Sequence, residues 1–185
     1  PGDLGAVLTV NEIFLSIQGE STYAGMPCAF VRLTGCNLRC RYCDTTYAYT
    51  EGESMSVEEA MGKVAALGCK LVEVTGGEPL LQPDVHPLMA ALLNNGHEVL
   101  LETNGSLDVS TVDPRVVKIV DVKCPDSGMV GHNLYANLKW ISPRDQIKFV
   151  ICSEGDYRWA AQLVREQGLA ERASVLFSPA SGYVQ

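Results

Sequence analysis

Gly35–Tyr47 reads GCNLRCRYCDTTY and places Cys36, Cys40 and Cys43 at C-x3-C-x2-C spacing. Three thiols this close in the chain come within reach of one metal centre on a single loop. That density suits neither two zinc-knuckle pairs nor a disulfide framework. Iron–sulfur clusters are held by cysteine thiolates, commonly four. Three local ligands on a cubane cluster leave one iron open, and an open iron can bind a substrate or cofactor where a closed one only carries an electron. A zinc site completed by a distant Cys or His is the alternative that the spacing leaves standing.

The loop hangs from Ala29–Leu33 (AFVRL), a buried strand with one outlier, Arg32. An arginine there needs either a core carboxylate or the anionic group of a substrate. Upstream, Val10–Ile17 alternates apolar and polar residues as a strand does, and Gln18-Gly19-Glu20-Ser21 follows as a loop. Downstream, Thr50–Met55 reads as a surface loop. Ser56 with Glu59 three residues later starts a helix that runs to about Leu67 and stops at Gly68. The strand Leu71–Val74 leads into Thr75-Gly76-Gly77-Glu78-Pro79, whose glycines let the backbone approach a ligand closely.

Further on, strands are expected at Glu98–Leu101, Val116–Val120, Gln146–Ile151 and Ser174–Phe177, and helices at Val85–Asn94, Asn133–Trp140 and Asp156–Gln167. The motifs ETNG, DVKCP and FSP close three of those strands. Alternating β and α units indicate a parallel sheet with helical crossovers, and polar motifs at successive strand ends put a site at its C-terminal mouth. There are too few units for eight. The expected fold is α/β, a partial (β/α) TIM-like barrel of about six parallel strands, in one domain over residues 1–185.

The 185 residues carry a formal net charge of −8, which argues against nonspecific nucleic-acid binding. Hydrophobic residues make up 46%, as in a soluble globular chain, with no apolar run of membrane-spanning length. The opening stretch lacks the pattern of a signal peptide. Seven cysteines, an odd number unevenly spaced, point to a reducing cytoplasm.

Taken in order, QGES, RLTGCNLRCRYCDTTY, TGGEP, ETNG and DVKCP resemble the 7-carboxy-7-deazaguanine synthase family of the radical S-adenosylmethionine (SAM) superfamily. The resemblance runs from Glu12 to about Pro179. The cysteine loop alone marks the superfamily; Gln18-Gly19-Glu20 and Asp44-Thr45 narrow it to the family. It implies a radical SAM barrel that converts 6-carboxy-5,6,7,8-tetrahydropterin to 7-carboxy-7-deazaguanine with loss of ammonia, in 7-deazaguanine (queuosine-type) biosynthesis. Implied cofactors are a 4Fe-4S cluster, SAM and Mg²⁺. Implied partners are the pterin, a reducing donor such as flavodoxin or ferredoxin, and a second copy in a homodimer.

The same resemblance implies residue roles. Cys36, Cys40 and Cys43 would hold the cluster and Thr45 the magnesium. Ile17, Gln18, Gly19, Glu20, Arg32 and Thr75 would meet the substrate, with Glu20 on its nitrogen-rich edge and Arg32 on its carboxylate; these two are the catalytic candidates. Tyr42, Cys43, Asp44, Gly76, Gly77, Glu78, Asn104, Cys124, Pro125, Asp126 and Ser178 would contact SAM. Many members carry Ser-Pro-Lys where this chain has Cys124-Pro125-Asp126, and Gln-Pro where it has Ser178-Pro179. Members usually continue past the last strand with a segment that closes the pocket, and that segment is expected to be missing here. His86, His97 and His132 read as structural or exposed, and Cys28, Cys69 and Cys152 as small buried hydrophobes. Rival readings are a radical SAM activase that makes a glycyl radical on a partner protein, and a non-catalytic zinc or electron-carrier domain.

Overall fold

The computed structural model describes residues 6–183. Eight strands form one open sheet in the order β3-β1-β2-β4-β5-β6-β7-β8. They are β1 (Val7–Ile17), β2 (Pro27–Leu33), β3 (Glu53–Ser56), β4 (Leu71–Gly76), β5 (Glu98–Thr103), β6 (Val117–Asp121), β7 (Gln146–Ile151) and β8 (Ser174–Pro179). From β2 through β8 the six neighbours run parallel, as expected. β1 is antiparallel to both β2 and β3. The 18–26 connection is too short for a crossover, so β1 and β2 form a hairpin.

Three α-helices cover one face: α1 (Val57–Ala66), α2 (Val85–Asn94) and α3 (Glu154–Glu166). α1 begins in the expected capping box, with the Ser56 side chain accepting from Glu59 N and the Glu59 side chain accepting from Ser56 N. α3 starts earlier than expected because Ser153 caps it, accepting from Asp156 N. Between β5 and β6 there is no helix: Asp108 and Asp113 accept from Ser110 N and Arg115 N, and these local bonds compete with helix formation. The helix expected at 133–140 is a 3-10 segment, Tyr135–Trp140. The loop expected at 50–55 contains β3, a short edge strand in which Met55 alone is buried.

Alternation along each strand sorts its residues between two faces. On the helix-covered face Val31, Val74, Val99 and Leu101 share a core with α1 and α2, while Phe149 and Ile151 pack with α3. On the other face a smaller cluster of Cys28, Leu71, Leu100 and Val117 packs against Tyr23. That face belongs to the site.

Candidate functional site

Beyond the inner apolar cluster, each strand continues with polar residues in the same phase. β2 brings Arg32, β4 brings Glu73 and Thr75, β5 brings Glu102, β6 brings Asp121 and β7 brings Lys148. All six line one cavity of about 500 Å³. The cysteine loop forms another wall with Cys36, Cys40 and Cys43. Residues 18–26 lie across the inner face as a strap. Gln18 donates to Glu73, Thr22 N donates to Gln146 Oε1 at 3.0 Å, and Tyr23 Oη donates to Glu98 Oε1 at 2.7 Å. The strap carries Ser21 at φ +64, a left-handed backbone that costs on the order of 1 kcal/mol outside glycine.

The cavity floor is a charged cluster. Lys148 is buried and donates to Glu20 Oε2 at 2.6 Å and to Glu102. Burial opposes its charge, but Glu102, Asp121 and Glu20 together hold its pKa well above the ordinary lysine value. Burial also works against the Glu102 carboxylate, yet Lys148 prevails and drives it down to about 2. Glu73 goes the other way: burial, then the charge of Glu102, pushes it up to about 9, so it keeps a proton at neutral pH. Thr75 Oγ1 donates to Glu102 at 3.2 Å.

Near the cysteines, Lys123 Nζ donates to Asp121 Oδ2 at 2.7 Å and lies 5.7 Å from the Tyr42 ring centroid. Tyr42 Oη and Asp121 Oδ1 are buried without a hydrogen-bond partner, an unusual cost that a bound polar group would remove. Cys36 Sγ accepts from Leu38 N at 3.4 Å and Asn104 Nδ2 at 3.8 Å, bonds suited to a cluster thiolate. Burial raises the Cys40 thiol, so a metal is needed to hold it as thiolate. All seven cysteines are free, and no three Cys, His, Asp or Glu among the described residues group tightly enough for a single metal ion. A donor set of three thiols spread on one cavity wall fits a cluster.

The family model of the radical SAM superfamily matches residues 30–122. The 7-carboxy-7-deazaguanine synthase of Chlorobaculum tepidum is 49% identical over 97% of this chain and 83% of its own. That of Thermoplasma acidophilum is 37% identical over 95% of this chain and 84% of its own. This chain belongs to the 7-carboxy-7-deazaguanine synthase family. The crystal structure of QueE from Escherichia coli matches at TM-score 0.77 and 25% identity, over 95% of this chain and 85% of that one. TYW1 with a lysine–pyruvate adduct bound shares the fold at TM-score 0.61 and 14% identity, over 85% of this chain and 66% of that one. Membership of this radical SAM family selects the 4Fe-4S cluster with SAM over zinc for the cysteine loop.

Most of the residues that the synthase family suggests do share the cavity: Gln18, Gly19, Glu20, Arg32, Tyr42, Asp44, Thr45, Thr75, Gly76, Gly77, Asn104 and Ser178 stand in its wall beside the three cysteines. Five others do not. The Ile17 side chain is 58% exposed, on the last residue of β1, outside the cavity wall. Glu78 has no exposure; it accepts from Leu80 N, Thr103 Oγ1 and Asn104 N at 3.0, 2.9 and 2.6 Å. It ties TGGEP to ETNG from outside the cavity wall. Cys124 is buried in the core beside α3, and Pro125 is exposed outside the wall. Asp126 turns to the start of α3, its N donating to Asp156 Oδ1 at 2.9 Å and its carboxylate accepting from Ser153 Oγ at 2.5 Å. The 125–127 turn nevertheless supports the site, because Ser127 O accepts from Arg41 N at 3.1 Å.

Arg32 meets both readings of the sequence. Its Nε donates to Glu12 Oε1 at 2.8 Å, while the residue lines the cavity. The glycine pair has a second use besides room for a ligand: a Cβ on Gly76 would strike Leu33 O, and one on Gly77 would strike Gly35 O. Gly77 N donates to Leu33 O at 3.1 Å and Glu78 N to Gly35 O at 2.7 Å, so TGGEP braces the cysteine loop backbone to backbone. Sequence reasoning missed Glu73, Glu102, Asp121 and Lys148. The signal was present, since each interrupts or closes an apolar strand run as Arg32 does.

Proposed function

We infer that this chain is a radical SAM lyase that converts 6-carboxy-5,6,7,8-tetrahydropterin to 7-carboxy-7-deazaguanine with loss of ammonia. The observation that carries this reading is the meeting of the three-cysteine loop and the Gln18–Glu20 strap in one cavity, in a chain 49% identical to a named 7-carboxy-7-deazaguanine synthase. When bound to Cys36, Cys40 and Cys43, the cluster supplies, with SAM and a one-electron reductant, the radical chemistry of the superfamily. The chain itself binds and orients. Glu20 accepts N–H donors from the pterin's nitrogen-rich edge, and Arg32 receives its carboxylate. The Tyr42 hydroxyl and Asp121 Oδ1, both otherwise unmet inside the protein, offer SAM a donor and an acceptor, with the Lys123 ammonium beside them.

Thr45 is the magnesium ligand in this reading. Its hydroxyl donates to Asp44 Oδ1 at 2.8 Å, a pair of oxygens at the cavity wall of the kind a hard cation takes. The resemblance further supports a homodimer, a flavodoxin or ferredoxin as donor, and a single catalytic domain. Seven free cysteines fit a reducing compartment such as the cytoplasm, and no helix among the described residues is long and apolar enough to cross a membrane.

The decisive assay mixes anaerobically purified, iron-loaded protein with SAM, a reductant, Mg²⁺ and the carboxypterin. Deazaguanine product is expected; SAM cleavage without it would reject the reading in favour of another radical SAM reaction. For magnesium, Thr45→Ala should keep the cluster spectrum and SAM cleavage while losing Mg²⁺ stimulation. Undiminished stimulation would remove Thr45 from the metal.

A further inference from the structure

The strap is fastened at several points, but they differ in what they hold. Gln18 to Glu73, Thr22 to Gln146 and Tyr23 to Glu98 fix its path across β4, β7 and β5. Glu20 N donates to Gln18 Oε1 at 2.9 Å, which sets the backbone at Glu20 and leaves the carboxylate free to turn. What stops it turning is Lys148. The Glu20 side chain is 55% exposed, whereas that of Lys148 is 7% exposed. This is therefore not a surface ion pair of two mobile side chains, which would contribute little. One partner is a rigid strand residue in the sheet interior, already anchored on Glu102.

We propose that Lys148 is a positioning residue for substrate recognition, holding the carboxylates of Glu20 and Glu102 at a fixed spacing so that they accept N–H donors from the nitrogen-rich edge of the pterin. This rests on the reading of the previous subsection and names a recognition element within it. Lys148 engages Glu20 through Oε2, so Oε1 remains for a ligand. The charges around it agree. Three carboxyl groups, Glu20, Glu73 and Glu102, surround one ammonium, and Glu73 is held protonated by burial. Asp121, which also acts on Lys148, is paired with Lys123, so three carboxylates against two ammonium groups leave the floor negative by one. Such a floor accepts the donor-rich aminopyrimidine end and repels the carboxylate end, which is sent toward Arg32. The polarity of the cavity thereby selects one orientation of the substrate.

The test uses cluster-loaded protein and two ligands: the carboxypterin substrate, and 6-carboxypterin, its oxidised and unreactive analogue, whose fluorescence reports binding. Lys148→Met should raise KM and the analogue's Kd by about tenfold or more, since charged hydrogen bonds position the acceptors, with kcat changed less than about threefold. Lys148→Arg should recover part of the affinity. In a cycle with Glu20→Gln, K148M should cost less affinity in the E20Q background than in wild type, because part of its effect runs through Glu20 and only the part through Glu102 remains. Wild-type affinity in K148M, or effects of K148M and E20Q that multiply, would overturn the proposal. Should K148M fail to fold, K148M/E102Q removes the buried ammonium together with a carboxylate it neutralises. The same tenfold weakening is expected there, and unchanged analogue affinity would overturn the proposal. The two readings fail separately. A wild type that makes no deazaguanine sinks the reaction, whereas product formation with an unchanged KM in K148M sinks only the role of Lys148.

Discussion

Glu78 shows how much of this site is held by one residue outside the cavity wall. Its buried carboxylate satisfies two backbone N–H groups and the Thr103 hydroxyl, in two loops from neighbouring strands. Removing it leaves those donors unpaired in the interior, at about 1–3 kcal/mol each. Glu78→Ala should therefore lose at least about 3 kcal/mol of stability, read by chemical denaturation; a loss below about 1 kcal/mol would show that water replaces the carboxylate. Glu73 poses the opposite case. Its pKa is raised from 4.5 to about 9, chiefly by burial. The neutral form is favoured in the folded protein, so its contribution is complete below about pH 4.5 and is lost as the pH climbs towards 9. Glu73→Gln keeps a donor for Glu102 and an acceptor for Gln18 with nothing to titrate. The variant should match wild type at pH 5 and be the more stable at pH 8.5, the gap growing by up to about 1.4 kcal/mol per pH unit. A gap independent of pH would mean that Glu73 ionises normally.

At the scale of elements, the site is a consequence of the pleat. On the parallel strands the helix-side face is mainly apolar; on the other face β2, β4, β5 and β6 start apolar and end polar or charged, and β7 carries Lys148. That second pattern is written in LVEVT, VLLET and QIKFVI as plainly as in AFVRL, yet a single charge in an apolar run reads equally as a core ion pair. Lys118 is such a case: it faces away from the cavity and pairs with Asp145 at 3.0 Å. Phase relative to neighbouring strands decides between the two, and phase across a sheet is a tertiary property. Loops were legible where glycine or capping chemistry marked them. The purpose of the TGGEP glycines was not, because the atoms they approach belong to the end of β2 and the cysteine loop, far upstream in the chain. Gly77→Ala places a methyl group against Gly35 O and must displace the cysteine loop. Iron bound per chain after anaerobic reconstitution should fall several-fold, while the far-UV circular dichroism stays that of wild type. Full iron loading would show that the loop yields without cost.

For the whole molecule, the parallel order and the place of the site followed from βα alternation and from motifs at strand ends. The β3 strand added to the edge of the β1–β2 hairpin did not, because its four residues read as a loop and become a strand only through pairing with the distant β1. The two large cores are built mainly from strand and helix residues and include none of Cys36, Cys40 and Cys43. The cysteine loop is instead joined to the rest by a few backbone bonds, among them Glu78 N to Gly35 O and Arg41 N to Ser127 O. Segments with few buried apolar contacts open locally at low free energy, whereas core strands open only with the global transition. Removal of iron by anaerobic chelation should therefore leave the sheet folded and loosen the mouth. Amide hydrogen exchange is expected to speed up by about tenfold or more across residues 35–45 and at Asn104–Ser106, with protection in β4, β5 and β7 unchanged. If those strands lost protection together with the loop, the cluster would be a structural keystone of the fold, and the division between a self-sufficient sheet and a metal-ordered rim would have to be given up.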